Sequence, residues 1–457
     1  MQVITEINSR GFQLRIDGQA WRSDPCAMMF PEAVWRAFAA KEMLVRELAY
    51  VLTMVPPLIL EHPTVWYHTP APQFFDLYND CFEEAIPNLT DPIERESAHE
   101  VLARFRGTGR HFPEKAFPET FPEDRVDWDN RRVVLPFSFG KDSLTSLATL
   151  KRLGYKVFPV CLDDRVLPRG TAIRGPLQKK LAADFGIQCL PVRNEIQLLS
   201  DYQVLERPAT HLHRVHVYFV YLLAMLPFCY YYRAPVIVLN NEYCLSLNHL
   251  HREGLLLPQW VVQSPPVTAR LRRLVDQLTG GAISVVNLIG GLGDFTLNRL
   301  LHRTFSEFGA LRVSCHMEMN DYSRWCHQCV RCGQAYLFAV ATGSDPEAMG
   351  FETSMLTADK RDCYYLFRKK PHARDAFTRY HQQAESLAFT MAAQRGAAGP
   401  LMQDLRRAGL PISAPAARKL HRSVFKVHGR PGRHPLEKEA QALYRKLVAA
   451  FRSEDSF

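Results

Sequence analysis

The sequence has few of the features that mark secreted, membrane-embedded or disulfide-rich proteins. Met1 to Ile16 has no sustained apolar core, so no secretory signal is expected there. The longest uncharged apolar segment, Val215 to Tyr232, contains a histidine and a proline and is marginal for spanning a bilayer, which favours a buried core helix. The 11 cysteines are too few for a disulfide scaffold in 457 residues. These absences predict a cytoplasmic protein with no membrane partner.

Motifs for several ligand classes are also missing. The sequence contains no DNA- or RNA-binding signature and no lipid, haem or flavin motif. A net charge of +9, from 56 basic and 47 acidic residues, is modest for this length and suits an anionic small molecule as well as nucleic acid. The basic, proline-broken stretch from Arg406 to Arg433 is typical of a solvated face or tail. Nucleic acid is therefore not an expected partner, and the oligomeric state stays open.

The chain does contain enough apolar sequence for two or three domains, with 47% hydrophobic and 23% charged residues. Residues 1–128 predict an α+β domain. Val3 to Ile16 alternates as a strand or hairpin, and Ala33 to Leu52 and Phe74 to Ala85 have helical spacing. The polar, proline-punctuated stretch from Phe112 to Asp129 predicts a linker. Residues 341–457 predict a mainly helical C-terminal region.

The middle part, residues 129–340, alternates short apolar runs with helical segments. This alternation predicts an α/β fold with a doubly wound parallel sheet of the Rossmann-like type. Polar residues follow the successive runs: Ser138 to Ser143, Asp163-Asp164, Arg193-Asn194 and Asn241-Glu242. Because ligands bind beyond the carboxyl ends of parallel strands, we expect these groups to converge on one edge. A glycine-rich turn, Gly290 to Asp294, is either a loop beside the substrate or a plain turn.

The first of these turns has the composition of a phosphate-binding loop and reads Ser138-Phe139-Gly140-Lys141-Asp142-Ser143. A helical segment follows at once, and the first N–H groups of a helix have no internal partner while the helix dipole favours an anion. Gly140 lets the backbone approach a ligand, Lys141 supplies a charge, and two serines supply hydroxyl groups. The Walker A pattern is absent, because no glycine lies five positions before Gly140. An ordinary strand–turn–helix connection is the alternative.

Four cysteines form the second specific feature: Cys315, Cys326, Cys329 and Cys332. Thiolates two residues apart on a turn can bind one ion, and four of them make a closed tetrahedral zinc site. An iron–sulfur cluster also uses four cysteines, and His316 or His327 can replace one thiolate. Since four protein ligands leave no open position, we expect the metal, with Zn²⁺ favoured, to be structural.

The loop resembles the S-G-G-x-D-S signature of the PP-loop ATP pyrophosphatases, with Phe139 in place of one glycine. This resemblance implies a Rossmann-like PP-loop (HUP) domain in residues 129–340. It also implies an enzyme that cleaves ATP to AMP and pyrophosphate with Mg²⁺ and adenylates its substrate. Ser138 to Ser143 would bind the phosphates, with Lys141 as the charge and Asp142 acting on Mg²⁺ or on the loop geometry.

Together, the loop and the cysteines resemble two PP-loop families. In the 7-cyano-7-deazaguanine synthase (QueC) family, the loop is followed by C-x(8–10)-C-x2-C-x2-C, whose cysteines hold zinc. The MurL family epimerises the terminal glutamate of UDP-N-acetylmuramoyl-L-alanyl-L-glutamate (UDP-MurNAc-L-Ala-L-Glu) with ATP. Its members have an N-terminal domain, a G-G-K-D-S-L loop, a strand ending in S-N-E-x-S, and R-W-C-x-x-C-x-x-C. This chain has Gly140 to Leu144, Asn241-Glu242 and Arg324 to Cys326 in that order, and resembles MurL more closely over residues 131–340.

The MurL resemblance implies an isomerase of peptidoglycan precursor synthesis that acts on the anionic UDP-MurNAc-dipeptide. An acyl-adenylate is more acidic at Cα than a carboxylate, so a general base can remove the α-proton, and water then releases AMP. The catalytic residues expected for this chemistry are Lys141, Asp142 and Glu242. The further base candidates are His249, His211 and His213. The basic candidates for holding the substrate, or for a solvated face, are Lys179, Lys180, Arg165 and Arg169.

Two other functions stay open. A QueC-like amidase or nitrile-forming enzyme would act on a deazaguanine or a protein terminus, in nucleoside modification or antiphage defence. Its consumption of ATP would depend on ammonia, whereas that of the epimerase would not. A non-catalytic nucleotide-binding partner would bind ATP without releasing AMP.

Overall fold

The strands of the protein define its architecture. The computed structural model describes residues 1–17, 25–90, 96–115, 119–121, 126–164, 168–202, 204–208, 212, 216–251, 253–314, 324–368, 371–407 and 412–454. Its strands are β1 (Gln2–Asn8), β2 (Gly11–Asp17), β3 (Cys26–Met29), β4 (Thr64–Tyr67), β5 (Gly109–His111), β6 (Arg132–Pro136), β7 (Lys156–Asp164), β8 (Leu190–Asn194), β9 (Val236–Leu239), β10 (Asn248–Leu250), β11 (Leu256–Pro258) and β12 (Ser284–Asn287). Ten of them form one sheet in the order β12-β9-β6-β7-β8-β3-β2-β1-β4-β5, while β10 and β11 form a separate hairpin.

The first half of this sheet, from β12 to β8, is entirely parallel. Its central strand is β6, where Val134 lies opposite Ile237 of β9 on one side and Phe158 of β7 on the other. Parallel strands require crossover connections, and helices supply them here. The predicted α/β class with a parallel sheet is therefore confirmed, and this half of the sheet is consistent with a Rossmann-like core.

The second half of the sheet is mixed. β8 pairs with β3 antiparallel, β3 with β2 and β2 with β1 in the same sense, and β1, β4 and β5 are parallel again. The predicted hairpin in Val3 to Ile16 is confirmed as β1 and β2. Because Met28 of β3 lies opposite Asn194 of β8, segments from both sides of position 128 share one sheet. The domain boundary at that position stays a prediction.

Helices cover both faces of the sheet. They are α1 (Glu32–Ala37), α2 (Lys41–Leu52), α3 (Pro56–Ile59), α4 (Phe75–Leu89), α5 (Ala98–Gly107), α6 (Lys141–Arg152), α7 (Pro168–Phe185), α8 (Val217–Tyr232), α9 (Pro265–Leu278), α10 (Asp294–Arg299), α11 (Ser306–Gly309), α12 (Val330–Thr342), α13 (Ala376–Gln394), α14 (Pro400–Arg407), α15 (Ala414–Val424) and α16 (Pro435–Glu454). A π-helical turn, Leu300–Thr304, follows α10 directly.

Two apolar cores lie on the two faces of the sheet, because successive side chains of a strand point in opposite directions. Val134 belongs to the core that contains α2, α4, α8 and α9, while Val133 and Leu135 belong to the core that contains α6, α10, α12 and α13. The C-terminal helices are part of this second core, where Tyr444 of α16 shares a 2.8 Å hydrogen bond with Thr149 of α6.

The apolar segment that precedes β9 forms α8. Its side chains from Phe219 to Cys229, apart from Tyr221, are buried, as expected for a core helix. Within the described helices, none has both the length and the apolar character that crossing a bilayer requires.

Candidate functional site

The turn between β6 and α6 has an open helix N-terminus. Gly140 is the N-cap residue of α6, and no side chain caps it. The first N–H groups of α6 therefore have no intrahelical or capping acceptor. Ser143 Oγ donates to the carbonyl of Gly140 at 3.2 Å and accepts from the N–H of Ser138 at 3.3 Å, which closes the loop on itself. Ser138 is exposed at the tip of this loop, where a ligand can reach it.

Phe139 has a left-handed backbone conformation, with φ of 60°. Glycine adopts this conformation without strain, whereas a residue with a Cβ atom is disfavoured there by about 1–2 kcal/mol. The side chain of Phe139 is fully buried, and its ring lies 4.7 Å from that of Phe137 in an edge-to-face contact. The burial of this ring offsets the backbone strain, so the loop keeps a glycine-like turn without glycine.

Lys141 is buried and lies at the centre of a cluster of charges. Its Nζ lies 2.9 Å from Asp142 Oδ1, 3.0 Å from Glu242 Oε2 and 3.3 Å from Asp294 Oδ1. Arg331, in the first turn of α12, approaches the other oxygen of Asp294 at 3.7 Å. We call these five side chains the Lys141 cluster. Three carboxylates against two cations leave it with a formal charge of −1 when all are ionised.

The carboxylates of the Lys141 cluster come from three neighbouring strand ends. Asp142 follows β6, Glu242 follows β9, and Asp294 begins α10 after β12. These strands are adjacent and parallel, so their carboxyl ends lie on one edge of the sheet. The expected convergence therefore brings Asp142 and Glu242 together. The sequence did not predict Asp294 or Arg331, although the glycine-rich turn before Asp294 carried a signal.

That glycine-rich turn packs tightly against the C-terminal region. A Cβ atom on Gly293 would lie 1.9 Å from the hydroxyl oxygen of Tyr380, so only glycine fits between this α13 side chain and the start of α10. His428 donates its backbone N–H to the carbonyl of Gly291 at 2.7 Å, and its ring stacks on Tyr243 at 3.7 Å. The C-terminal region thus forms one wall of the site.

The two buried carboxyl groups of the Lys141 cluster, those of Glu242 and Asp294, have different pKa values. Burial raises the pKa of Glu242 to about 7, although Lys141 acts in the opposite direction. Burial also acts to raise the pKa of Asp294, but Lys141 and Arg331 outweigh it and lower this pKa to about 2. Burial acts to lower the pKa of Lys141, but the three carboxylates hold it well above its ordinary value. Of these two carboxyl groups, Glu242 is therefore the one whose protonated form burial favours.

The segment that contains Arg312 and Val313 supports the loop through its backbone. Val313 donates its N–H to the carbonyl of Phe139 at 2.8 Å, which fixes the turn from a neighbouring segment. The adjacent Arg312 is buried, donates to Asn298 Oδ1 and lies 3.2 Å from His302 Nε2. Burial, despite the nearby carboxylates, lowers the pKa of Arg312 to about 10, and burial with Arg312 lowers that of His302 to about 3. His302 is accordingly a neutral partner of this arginine.

Three of the four predicted cysteine ligands lie together at the start of α12. Cys332 Sγ lies 3.7 Å from Cys326 Sγ and 3.5 Å from Cys329 Sγ. Zinc–sulfur bonds of about 2.3 Å in a tetrahedral site separate the sulfur atoms by about 3.8 Å, so these three positions fit one ion. The cluster can thus bind a metal ion such as zinc. Cys315 and His316 lie outside the described residues, and His327 Nε2 accepts from the N–H of Glu352 at 3.3 Å.

A further cysteine packs against the same helix. Cys363, at the end of a short 3-10 helix (Ala358–Cys363), is buried beside Gly333. A Cβ atom on Gly333 would lie 2.5 Å from the carbonyl oxygen of Cys363 and 2.9 Å from its Cβ. The glycine next to Cys332 therefore allows this close approach.

The remaining residues predicted as bases or as substrate-binding groups, where the structure describes them, lie outside the Lys141 cluster. Lys179 and Lys180 are exposed on α7, and Lys180 pairs with Asp184 at 2.7 Å, as on a solvated face. His249 lies on β10, where its Nδ1 is 3.2 Å from Asp375. The candidates outside the described residues or side chains are His211, His213, Arg165 and Arg169.

A large open cavity lies away from these groups. It has a volume of about 1430 Å³ and lies between the start of α4, the segment after β5 and the end of α9, with Phe75, Arg110 and Asp276 in its lining. None of its lining residues belongs to the loop, the Lys141 cluster or the cysteine cluster.

Comparison of the chain with protein-family models and with curated proteins gives no match.

Proposed function

We propose that this protein is an ATP-dependent enzyme of the PP-loop type that forms AMP and pyrophosphate and adenylates a substrate carboxylate. The observation that carries the proposal is the uncapped N-terminus of α6, which adjoins carboxylates from three parallel strand ends. A polyphosphate needs unpaired N–H donors, and a Mg²⁺ ion that accompanies it needs carboxylate oxygens. The Ser138–Ser143 turn and Asp142 offer both within one turn of helix.

The loop residues have distinct roles in this proposal. Ser138, Gly140 and the first N–H groups of α6 hold phosphate oxygens, and Ser143 keeps the turn closed. The left-handed conformation of Phe139 supports the likeness to the PP-loop signature, which has glycine at this position. Lys141 is the positive charge beside the phosphates, and its three carboxylate contacts fix where that charge lies.

Asp142 is the group that would contact Mg²⁺. Its side chain is 29% exposed, whereas those of Glu242 and Asp294 are 2% and 3% exposed. Carboxylate oxygen is the donor that Mg²⁺ prefers, so the donor set fits. When bound there, Mg²⁺ would supply positive charge against the charge that develops as pyrophosphate leaves, while Asp142 and the loop would fix its position.

The substrate that the motifs favour is UDP-MurNAc-L-Ala-L-Glu, and the reaction is then epimerisation of its terminal glutamate. Adenylation of the α-carboxylate acidifies Cα, a base removes the proton, and the opposite face is reprotonated before water releases AMP. Glu242 is suited to proton transfer, because its pKa of about 7 lets both protonation states exist at neutral pH. Such a step belongs to peptidoglycan precursor synthesis in the cytoplasm.

The cysteine cluster also supports a second candidate, a QueC-like amidase or nitrile-forming enzyme. Zinc bound by Cys326, Cys329 and Cys332 would stabilise the start of α12, where Arg331 contacts Asp294. This metal is structural in both candidates, so it does not separate them. Dependence of AMP release on ammonia does: the amidase requires ammonia, and the epimerase does not.

The test is incubation with ATP, Mg²⁺ and UDP-MurNAc-L-Ala-L-Glu, followed by measurement of AMP and of glutamate chirality after hydrolysis. We expect AMP together with D-glutamate without added ammonia. Asp142→Asn should lose AMP release, while the matched control Asp184→Asn, an exposed aspartate on α7, should keep it. AMP release only with a deazaguanine acid and ammonia would favour the second candidate, and no AMP with either substrate class would reject both.

A further inference from the structure

A histidine and an aspartate beside the proposed site form a dyad. His249 Nδ1 lies 3.2 Å from Asp375 Oδ2, and the two side chains are 26% and 8% exposed. An imidazole that donates its Nδ1–H to a carboxylate has a lone pair on Nε2, which is the arrangement of a general base. Among the described residues, His249 Nε2 makes no hydrogen bond, so the atom that would carry out the chemistry is available.

The carboxylate of the dyad is held in place independently of the histidine. Asp375 is the N-cap residue of α13: its Oδ1 accepts from the N–H of Thr378 at 2.9 Å, and its Oδ2 accepts from the hydroxyl of Thr378 at 3.0 Å. A group fixed in this way can orient the ring that it contacts. The N-terminus of a long helix therefore sets the orientation of His249.

The imidazole is also positioned by its neighbours. Its ring makes edge-to-face contacts with Phe377 at 5.7 Å and with His251 at 5.2 Å between ring centroids. His251 is buried and lies 3.3 Å from Asn88 through its Nε2. The β10–β11 hairpin thus presents one histidine to the core and one, His249, to a partly open face.

Helix α13 connects the dyad to the Lys141 cluster. Tyr380, whose hydroxyl touches Gly293 at the start of α10, lies five residues after Asp375, or about 7.5 Å along the helix axis. Glu242 precedes the 3-10 helix Tyr243–Ser246, and β10 begins two residues after that helix ends. Ring contacts join His249 to the wall of the site that Tyr380 forms. Between ring centroids, Phe377 lies 5.7 Å from His249 and 4.4 Å from His381, and His381 lies 5.6 Å from Tyr380.

We infer that His249, oriented by Asp375, is the group that transfers a proton at the substrate Cα opposite to Glu242. This inference rests on the proposed epimerase function. Neutral His249 accepts the Cα proton through Nε2, and the electron pair of the C–H bond moves into the acyl carbonyl to give the enolate of the acyl-adenylate. Glu242, in its carboxylic acid form, donates a proton to the other face of Cα. Exchange with water then restores both groups, and hydrolysis releases AMP.

The geometry of the dyad can be tested without any substrate. Nitrogen NMR of the histidine rings, with His249 assigned through its variant, should give the tautomer with the proton on Nδ1. Asp375→Asn keeps a good N-cap residue but turns an acceptor into a donor, and should move the proton to Nε2. A wild-type His249 protonated on Nε2, or a tautomer unchanged in Asp375→Asn, overturns the dyad.

The catalytic role is tested with ATP, Mg²⁺ and UDP-MurNAc-L-Ala-L-Glu in deuterated water. His249→Gln should slow the incorporation of deuterium at the glutamate Cα by about 10²- to 10⁴-fold. ATP–pyrophosphate exchange, which reports the earlier adenylation, should fall by less than about threefold, since proton transfer follows that step. Asp375→Asn should slow deuterium incorporation as well. The control is His68→Gln, an exposed histidine that bonds Gln2 at the sheet edge, and both rates should be unchanged in it.

The outcomes separate the two proposals. If the wild-type protein shows no pyrophosphate exchange, the proposed function fails, and the role of His249 fails with it. If exchange occurs and His249→Gln keeps the wild-type rate of deuterium incorporation, only the role of His249 fails. Equal losses of both rates in His249→Gln would assign the histidine to adenylation or to folding, which also overturns the inference.

Discussion

Replacing Lys141 by methionine is the substitution whose effect on stability can be derived most fully from the structure. The ammonium group lies within 3.3 Å of three carboxylates, two of which are almost completely buried. Removal of one partner from a buried ion pair costs about 3–5 kcal/mol, because the remaining charge is left without compensation. Arg331 still faces Asp294 at 3.7 Å, so we expect a loss near the lower end, about 3 kcal/mol in the free energy of unfolding.

The loss should depend on pH in a definite direction. Burial has already raised the pKa of Glu242 to about 7, so its folded state binds more protons than the unfolded state between about pH 4.5 and 7. Lys141 is the stronger of two cations that oppose this shift, the other being Arg331, so without Lys141 the pKa values of Glu242 and Asp294 both rise. The variant should therefore be more destabilised, relative to wild type, at pH 8 than at pH 5.5.

Urea unfolding at these two pH values, followed by tryptophan fluorescence and circular dichroism, measures the effect. Lys180→Met is the matched control, since this exposed lysine also pairs with an aspartate and should change stability by less than about 1 kcal/mol. Lys141→Met/Glu242→Gln should recover part of the loss, because it removes one of the buried charges. A Lys141→Met protein as stable as the control, or a loss that is equal at both pH values, would refute the buried ion cluster.

Three further perturbations test other parts of the structure. Phe139→Gly should unfold with a free energy about 1 kcal/mol larger than Phe139→Ala, since only glycine relieves the left-handed strain; a more stable alanine variant in urea unfolding contradicts this. Gly333→Ala should lower the melting temperature and the zinc content measured by elemental analysis, because its Cβ would lie 2.5 Å from the carbonyl oxygen of Cys363; unchanged values would show that no such contact exists. Burial raises the pKa of Glu385 to about 7, so its contribution to stability falls as pH rises from about 4.5 to 7. Glu385→Gln should make the stability less dependent on pH in this window, and an unchanged slope of the unfolding free energy against pH counts against this assignment.

The parallel core was predictable because its strands are short apolar runs that alternate with helices. Each run needs burial on both faces, and this requirement can be read from local sequence. The extension of the sheet by β3, β2 and β1 was not predictable in the same way. It depends on the pairing of Met28 with Asn194. These residues are far apart in the chain, and neither local sequence indicates that the two strands pair. Such a pairing is decided by tertiary packing.

The candidate site was predictable in part for a related reason. Asp142 and Glu242 follow apolar runs, so the position of strand ends places them on one edge of the sheet. Asp294 follows β12 in the same way, but the glycines before it are equally typical of a plain turn. Arg331 lies between two cysteines and has no local feature that indicates its contact with Asp294. The burial of Lys141 could not be predicted from the sequence either, because it depends on residues from three strand ends.

The position at which ATP is cleaved tests the central claim most directly. The protein is incubated with ATP, Mg²⁺ and UDP-MurNAc-L-Ala-L-Glu, and the phosphorus products are resolved by NMR for wild type, Asp142→Asn and Asp184→Asn. We expect AMP and pyrophosphate from wild type and Asp184→Asn, and neither product from a folded Asp142→Asn protein. ADP and phosphate from wild type, or AMP formation that is unaffected by Asp142→Asn, would contradict it.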